Sequence, residues 1–186
     1  MAVLSCCNKC EGAYSFNQGI KGKNADLTKL LLVLHKSDSR ATIPVLPGLG
    51  FDDYESAFMN APTGLVINGL LKFCSLRFDD IYLTNIFKCL LPGDRQPAKK
   101  EYENCLPVLE AQVNDFNPSK IIIFGAKVAD RMLKNGYTAI DSGEIHEYLK
   151  VPALSLDHPS APWVRNHFYR EKYYFKKALE FIRAKY

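Results

Sequence analysis

The sequence predicts an α/β fold, a layered sandwich with a mostly parallel sheet. Three observations predict it. Short apolar runs alternate along the chain with segments of helical periodicity. The runs are continuous rather than alternating apolar and polar, as strands buried on both faces are. The chain also has the means for one sizeable core: 186 residues, 47% of them hydrophobic. That length suits a single domain over residues 1–186, and the composition excludes disorder as the main state.

The elements follow in order. Leu30-Leu-Leu-Val-Leu34 reads as a buried strand. Ala61 to Phe73 reads as a helix, with Leu65, Leu70 and Leu71 on its apolar face. Asp80-Ile-Tyr-Leu-Thr-Asn85 is a second strand. Pro97 to Phe116 is a helix in which Tyr102, Leu106, Leu109 and Val113 recur at helical spacing. Lys120-Ile-Ile-Ile-Phe-Gly125 is a strand ending in Gly, and Ala126 to Asn135 is a helix stopped by Gly136. Val151 to Leu156 is a last strand, and Asn166 to Tyr186 a helix rich in aromatic and basic residues. Between the first strand and first helix, Lys36 to Glu55 is a long irregular stretch, of the kind that forms lids or binding loops. In parallel sheets ligands sit beyond the carboxyl ends of the strands. Attention therefore falls on His35 to Arg40, Asn85 to Arg95, Gly125 and His158-Pro-Ser160.

Charge and sorting signals narrow the setting. The formal charge is +4, from 24 basic and 20 acidic residues, which permits a polyanionic partner without demanding one. Met1 to Leu4 is apolar only briefly before Cys6, Cys7 and Lys9, unlike a signal peptide. Leu30 to Leu34 is far short of the ~20 residues that span a bilayer. The expectation is a cytoplasmic protein with no membrane association, where thiols stay reduced.

The six cysteines are then the feature to explain. Cys7-x-x-Cys10 opens the chain, Cys89 follows the second strand, and Cys105 lies in the next helix. Four thiolates brought to one place suit zinc or an iron–sulfur cluster. Spacing alone leaves a second reading equally open, in which Cys89 and Cys105 are small buried hydrophobes. Cys6 competes with Cys7 as first ligand, and Cys74, on an apolar helix, reads as packing.

Tyr82-Leu-Thr-Asn-Ile-Phe-Lys-Cys89, then Leu91-Pro-Gly-Asp-Arg95, Pro97, Glu101 and Cys105-Leu-Pro-Val-Leu109, resembles the conserved segment of the family 4 uracil-DNA glycosylases. Val151-Pro-Ala-Leu-Ser-Leu-Asp-His-Pro-Ser160 is similar to that family's closing strand and His-Pro-Ser motif. The resemblance spans nearly the whole chain and is strongest from Tyr82 to Leu109. It implies a three-layer α/β/α sandwich with a short parallel sheet. It also implies a structural [4Fe-4S] cluster on Cys7, Cys10, Cys89 and Cys105, zinc being the alternative.

The same resemblance implies a DNA glycosylase that hydrolyses the N-glycosidic bond of uracil or a related modified pyrimidine. Such enzymes take the base out of the stack first. Asn85 matches the residue that reads uracil, donating to a carbonyl and accepting from a ring N–H. His158 matches the catalytic imidazole that stabilises the departing base. Ser160 is placed to bond a phosphate, and Trp163 or Val164 to wedge into the duplex. Arg165, Arg170, Lys172, Lys176 and Lys177, interleaved with Tyr and Phe, suit phosphate contacts. The first motif departs from the family: where its members carry Gly-Glu-x-Pro-Gly, this chain reads Leu34-His-Lys-Ser-Asp-Ser-Arg40. His35 takes the place of the Glu, and His35 or Asp38 is left to handle water. Phe58, with Phe51 behind it, is the candidate to stack on the base. The expected partner is DNA with a flipped-out base, met by a monomer. A catalytically silent iron–sulfur DNA-binding module on the same fold is the alternative that the altered motif raises.

Overall fold

The computed structural model describes residues 9–11, 19–36, 61–133, 143–164 and 170–186. Cys6, Cys7, Asp38, Phe51, Phe58 and Arg165 lie outside the described residues.

The apolar run at Leu30 becomes β2, Leu30–Lys36, buried through Leu34. A strand apolar on both faces belongs in the middle of a covered sheet. There it pairs in parallel with β3, Ile81–Phe87, on one side and β4, Lys120–Phe124, on the other. β4 pairs in parallel with β6, Val151–Leu156. Two short antiparallel strands complete the sheet: β1, Ile20–Lys21, on β3, and β5, Ile145–Tyr148, on β6. The six-stranded order is β1-β3-β2-β4-β6-β5.

Strand alternation sorts the core into two halves. Leu31, Val33, Ile121, Ile123 and Ala153 face one way, against α3, Lys99–Phe116, and α4, Ala126–Leu133. Leu30, Leu32, Leu34, Ile122, Phe124 and Leu154 face the other, against α2, Pro62–Phe73, and α5, Lys176–Arg183. A four-residue helix, α1, Ala25–Thr28, precedes β2. Helices on both faces of a mostly parallel sheet make the three-layer α/β/α sandwich that the sequence predicts.

Three elements differ from expectation. The edge strands β1 and β5 are absent from the sequence reading. Two residues cannot display a period, and Ile145-His-Glu-Tyr148 lacks an apolar run. The tail, expected as one helix over Asn166–Tyr186, winds as a π-helical turn over Arg170–Phe175 before α5 begins. The wider turn buries two consecutive aromatics, Tyr174 and Phe175. Phe175 packs so closely on α2 that a Cβ at Gly69 would lie 3.2 Å from its ring. Among the described residues no helix is long and apolar enough to cross a membrane.

Candidate active site at the carboxyl edge of the sheet

Sheet order decides which residues meet. Asn85 lies two residues before the end of β3, His35 is the penultimate residue of β2, Gly125 follows β4 and His158 lies just beyond β6, so the carboxyl ends of neighbouring strands carry all four. At about 4.8 Å between strands, the row from Asn85 to His158 spans about 14 Å. Asn85 pairs with Leu34 in register, so those two leave the sheet on the same face and His35 leaves on the other.

His158 is built by the turn after β6. Its carbonyl accepts from Ala161 N–H at 2.8 Å, and the Ala161 carbonyl accepts from Val164 N–H at 3.0 Å. Ser160 N–H donates to His158 Nδ1 at 3.2 Å, and Ser160 Oγ lies 2.7 Å from the same nitrogen. A backbone amide can only donate, so Nδ1 holds its lone pair and the ring proton sits on Nε2. Burial pushes the imidazole below its ordinary pKa, because taking the ring out of water disfavours its charged form. The site thus presents a neutral Nε2–H donor. Gly125 permits it: its φ of +103° suits only glycine, and a Cβ there would lie 3.5 Å from His158 Cβ. Gly125 N–H also donates to the Leu156 carbonyl at 2.7 Å, tying the ends of β4 and β6 together.

Asp157 organises the rest of the loop. Its carboxylate accepts from the Trp163 indole N–H at 2.9 Å, and its carbonyl accepts from Tyr174 O–H at 2.7 Å. Trp163 is 53% exposed, whereas Val164 is fully buried among the α2–α5 core residues. Val164 therefore cannot serve as a wedge, which corrects that half of the sequence reading. Trp163 remains the exposed aromatic beside His158. Lys172, Lys176 and Lys177 are exposed, while Arg170 lies over the Phe175 ring at 5.8 Å.

His35 is half-buried and its Nε2 is hydrogen-bonded to the Tyr102 hydroxyl of α3. Burial, then the nearby His158, Lys36 and Lys127, push its pKa down to about 4. Asn85 is half-buried at its strand end.

Sequence reasoning misses Lys88. It is 0% exposed, and its amine donates to Thr84 Oγ1 at 2.7 Å and to Gln112 Oε1 at 2.6 Å. Burial pushes it down to about 7. The available signal is a lysine following an apolar strand, with Thr84 four residues before it.

Cys89 and Cys105 are buried in one core cluster, and Cys10 packs against it from the N-terminal segment. Asn104 of α3 holds that segment, donating to the Lys9 carbonyl at 3.1 Å and to Cys10 Sγ at 3.6 Å. Cys74 caps α2 inside the opposite cluster, and burial pushes its thiol up to about 11, as a packing residue requires. Among the described residues no three Cys, His, Asp or Glu side chains come close enough to hold a single metal ion.

Fold and edge together define an α/β protein with a site assembled from an amide, two neutral imidazoles and a glycine at strand carboxyl ends. A sequence profile described as "Uracil DNA glycosylase superfamily" matches residues 45–183. This chain belongs to the uracil-DNA glycosylase superfamily. A type-4 uracil-DNA glycosylase of Archaeoglobus fulgidus is 28% identical over 182 residues, covering 83% of this chain and 91% of that one. Type-4 enzymes of Pyrobaculum aerophilum and Thermotoga maritima are 32% identical over 88 residues and 35% over 63. These shorter matches cover 47% and 34% of this chain, and 44% and 33% of those proteins. The family profile begins beyond β2, so it leaves out the segment where the first motif diverges.

Proposed function

We propose that this protein is a monofunctional DNA glycosylase that hydrolyses the N-glycosidic bond of uracil, or a related modified pyrimidine, in DNA. One observation carries the reading: an imidazole whose Nδ1 meets the Ser160 backbone N–H, leaving Nε2 to carry the proton, beside Gly125 and in one row with Asn85. When the C1′–N1 bond breaks, its electron pair leaves with the base and charge develops on O2. A pre-aimed Nε2–H stabilises that charge and, being already neutral, asks for no proton first. Asn85 reads the flipped base, with Phe58 stacking on it. Trp163 fills the vacated stack, and Ser160 and Arg165 contact phosphates. Water then attacks C1′, handled by His35 or Asp38.

The family supplies the expectation of a [4Fe-4S] cluster on Cys7, Cys10, Cys89 and Cys105. Cys89 and Cys105 are buried in one core cluster with Cys10 packed against it, and Asn104 offers a hydrogen bond to the Cys10 sulfur, but no three of the described Cys, His, Asp or Glu side chains stand close enough to hold a metal, so the ligand set rests on the family resemblance. The cluster's service is structural, tying the N-terminal segment to β3 and α3, because closing long loops between buried thiolates contributes folding free energy. The protein is read as a monomer acting on DNA.

The test is base release from single- and double-stranded DNA carrying uracil, hypoxanthine or 5-hydroxymethyluracil. Release that falls about 10²–10³-fold in His158→Ala supports the reading, that being the usual cost of one oxyanion donor. Asn85→Ala is expected to lose selectivity for uracil as well as rate. Tight DNA binding with no base released from any substrate would overturn it in favour of a silent DNA-binding module.

A further inference from the structure

Sequence marks Tyr102 only as a core position of a helix, yet its hydroxyl meets the one side chain that replaces the family's acidic residue. The ring is 7% exposed. It packs edge-on against Phe87 with centroids 6.1 Å apart, and the Arg131 guanidinium lies over it at 5.5 Å. Tyr102 and His35 face each other with ring centroids 5.7 Å apart, joined through Tyr102 Oη and His35 Nε2.

The direction of that hydrogen bond follows from what each group can place. Burial raises the phenol pKa, so Tyr102 carries its hydrogen and must direct it somewhere. Arg131 is a cation and accepts nothing. Among the described residues the hydroxyl has only His35 Nε2 as a hydrogen-bond partner. If His35 donated instead, the phenol hydrogen would find no acceptor among the described residues, and leaving a buried O–H unsatisfied costs about 1–3 kcal/mol. The phenol therefore donates, Nε2 accepts, and a neutral imidazole in that state carries its proton on Nδ1.

We infer that Tyr102 is a positioning residue that fixes His35 as its Nδ1–H tautomer, making His35 a hydrogen-bond donor to the excision site and not the acceptor of the water proton. The inference rests on the proposed glycosylase reading for what the donor serves, though not for the tautomer itself. It changes the allocation of roles. Water oxygen bonds to C1′, the C1′–N1 electron pair departs with the base under His158 Nε2–H, and the water proton passes to a group other than His35. Asp38, the carboxylate in the same motif, is the candidate acceptor. His35 thus occupies the place of the family's Glu while doing the reverse chemistry.

Nitrogen NMR of the labelled, full-length protein tests the tautomer directly, with His35→Gln identifying the His35 signals. The expected result is a protonated Nδ1 and a hydrogen-bonded, unprotonated Nε2. Tyr102→Phe is expected to move the proton to Nε2 and to lower kcat several-fold with KM unchanged. A wild-type His35 protonated on Nε2 overturns the inference. A second arm uses uracil release. His35→Gln, which can donate, should stay within about tenfold of wild type, whereas His35→Phe and His35→Glu should each fall about 10²-fold. A Glu variant as active as wild type, or more so, would mean that the position accepts a proton and would likewise overturn it. If wild-type protein releases no base, the glycosylase reading fails while the nitrogen spectra still decide the tautomer.

Discussion

His158 and His35 are both neutral imidazoles at strand ends, but their hydrogen bonds leave the proton on opposite nitrogens. His158 receives a backbone N–H at Nδ1, and His35 meets a phenol at Nε2. Their neutrality also has a thermodynamic sign. In the unfolded chain His35 titrates near 6.5, and in the folded one only near 4. Between those values the unfolded state holds more protons, so stability is complete above the upper value and drains away as pH falls toward the lower one. The urea midpoint is expected to drop across that window, and His35→Gln should flatten the drop. At Lys88 the expectation is sharper. Lys88→Ala removes a fully buried stem and takes one donor from each of Thr84 and Gln112, which should cost about 2–4 kcal/mol by urea denaturation. Sequence names His158 only through its resemblance to the family's His-Pro-Ser motif, and the Ser160 that meets its Nδ1 lies two residues away. It could not name the partner of His35, because Tyr102 lies 67 residues downstream and signals only a helical period.

Elements are legible where burial is two-sided and long. β2 and β4 announce themselves because their apolar runs leave side chains buried on whichever face they take. The edge strands do not, since β5 shows exposed and half-buried residues in its first three positions. The start of α3 lies between these cases. Glu101 reaches back to accept from Ala98 N–H at 2.7 Å and holds Arg95 through two bonds of 2.8 Å. Arg95, the largest cause, and the Ala98 amide hold its carboxyl below the usual range against the opposing effect of burial. That one carboxylate therefore stops the helix from fraying and docks the loop that leads from Cys89. Glu101→Ala is expected to cost about 1–2 kcal/mol, read as a fall of about 2–8 °C in thermal midpoint. The π-helical turn at Arg170–Phe175 is beyond sequence reasoning, because a helix and its wider variant share nearly the same apolar spacing.

Across the whole molecule, the modest +4 charge becomes useful only by placement. Lys172, Lys176 and Lys177 stand exposed on the segment that follows the His158 loop, although Lys176 also pairs with Glu180 at 3.8 Å. If Lys172 and Lys177 meet phosphates, replacing both with Ala should reduce the slope of log affinity against log salt by about 0.9 for each phosphate no longer neutralised. An unchanged slope would place the DNA elsewhere. The sheet itself carries a further consequence. In chain order the edge residues run His35, Asn85, Gly125, His158, but in space β2 lies between β3 and β4. No contiguous fragment of the chain can therefore present the site, and no partly paired sheet can either. Recovery of base release during refolding should consequently trail the recovery of helical signal and coincide with the last parallel pairing, β4 with β6, which delivers His158. Enzymatic activity would then be a clock for the completion of the molecule.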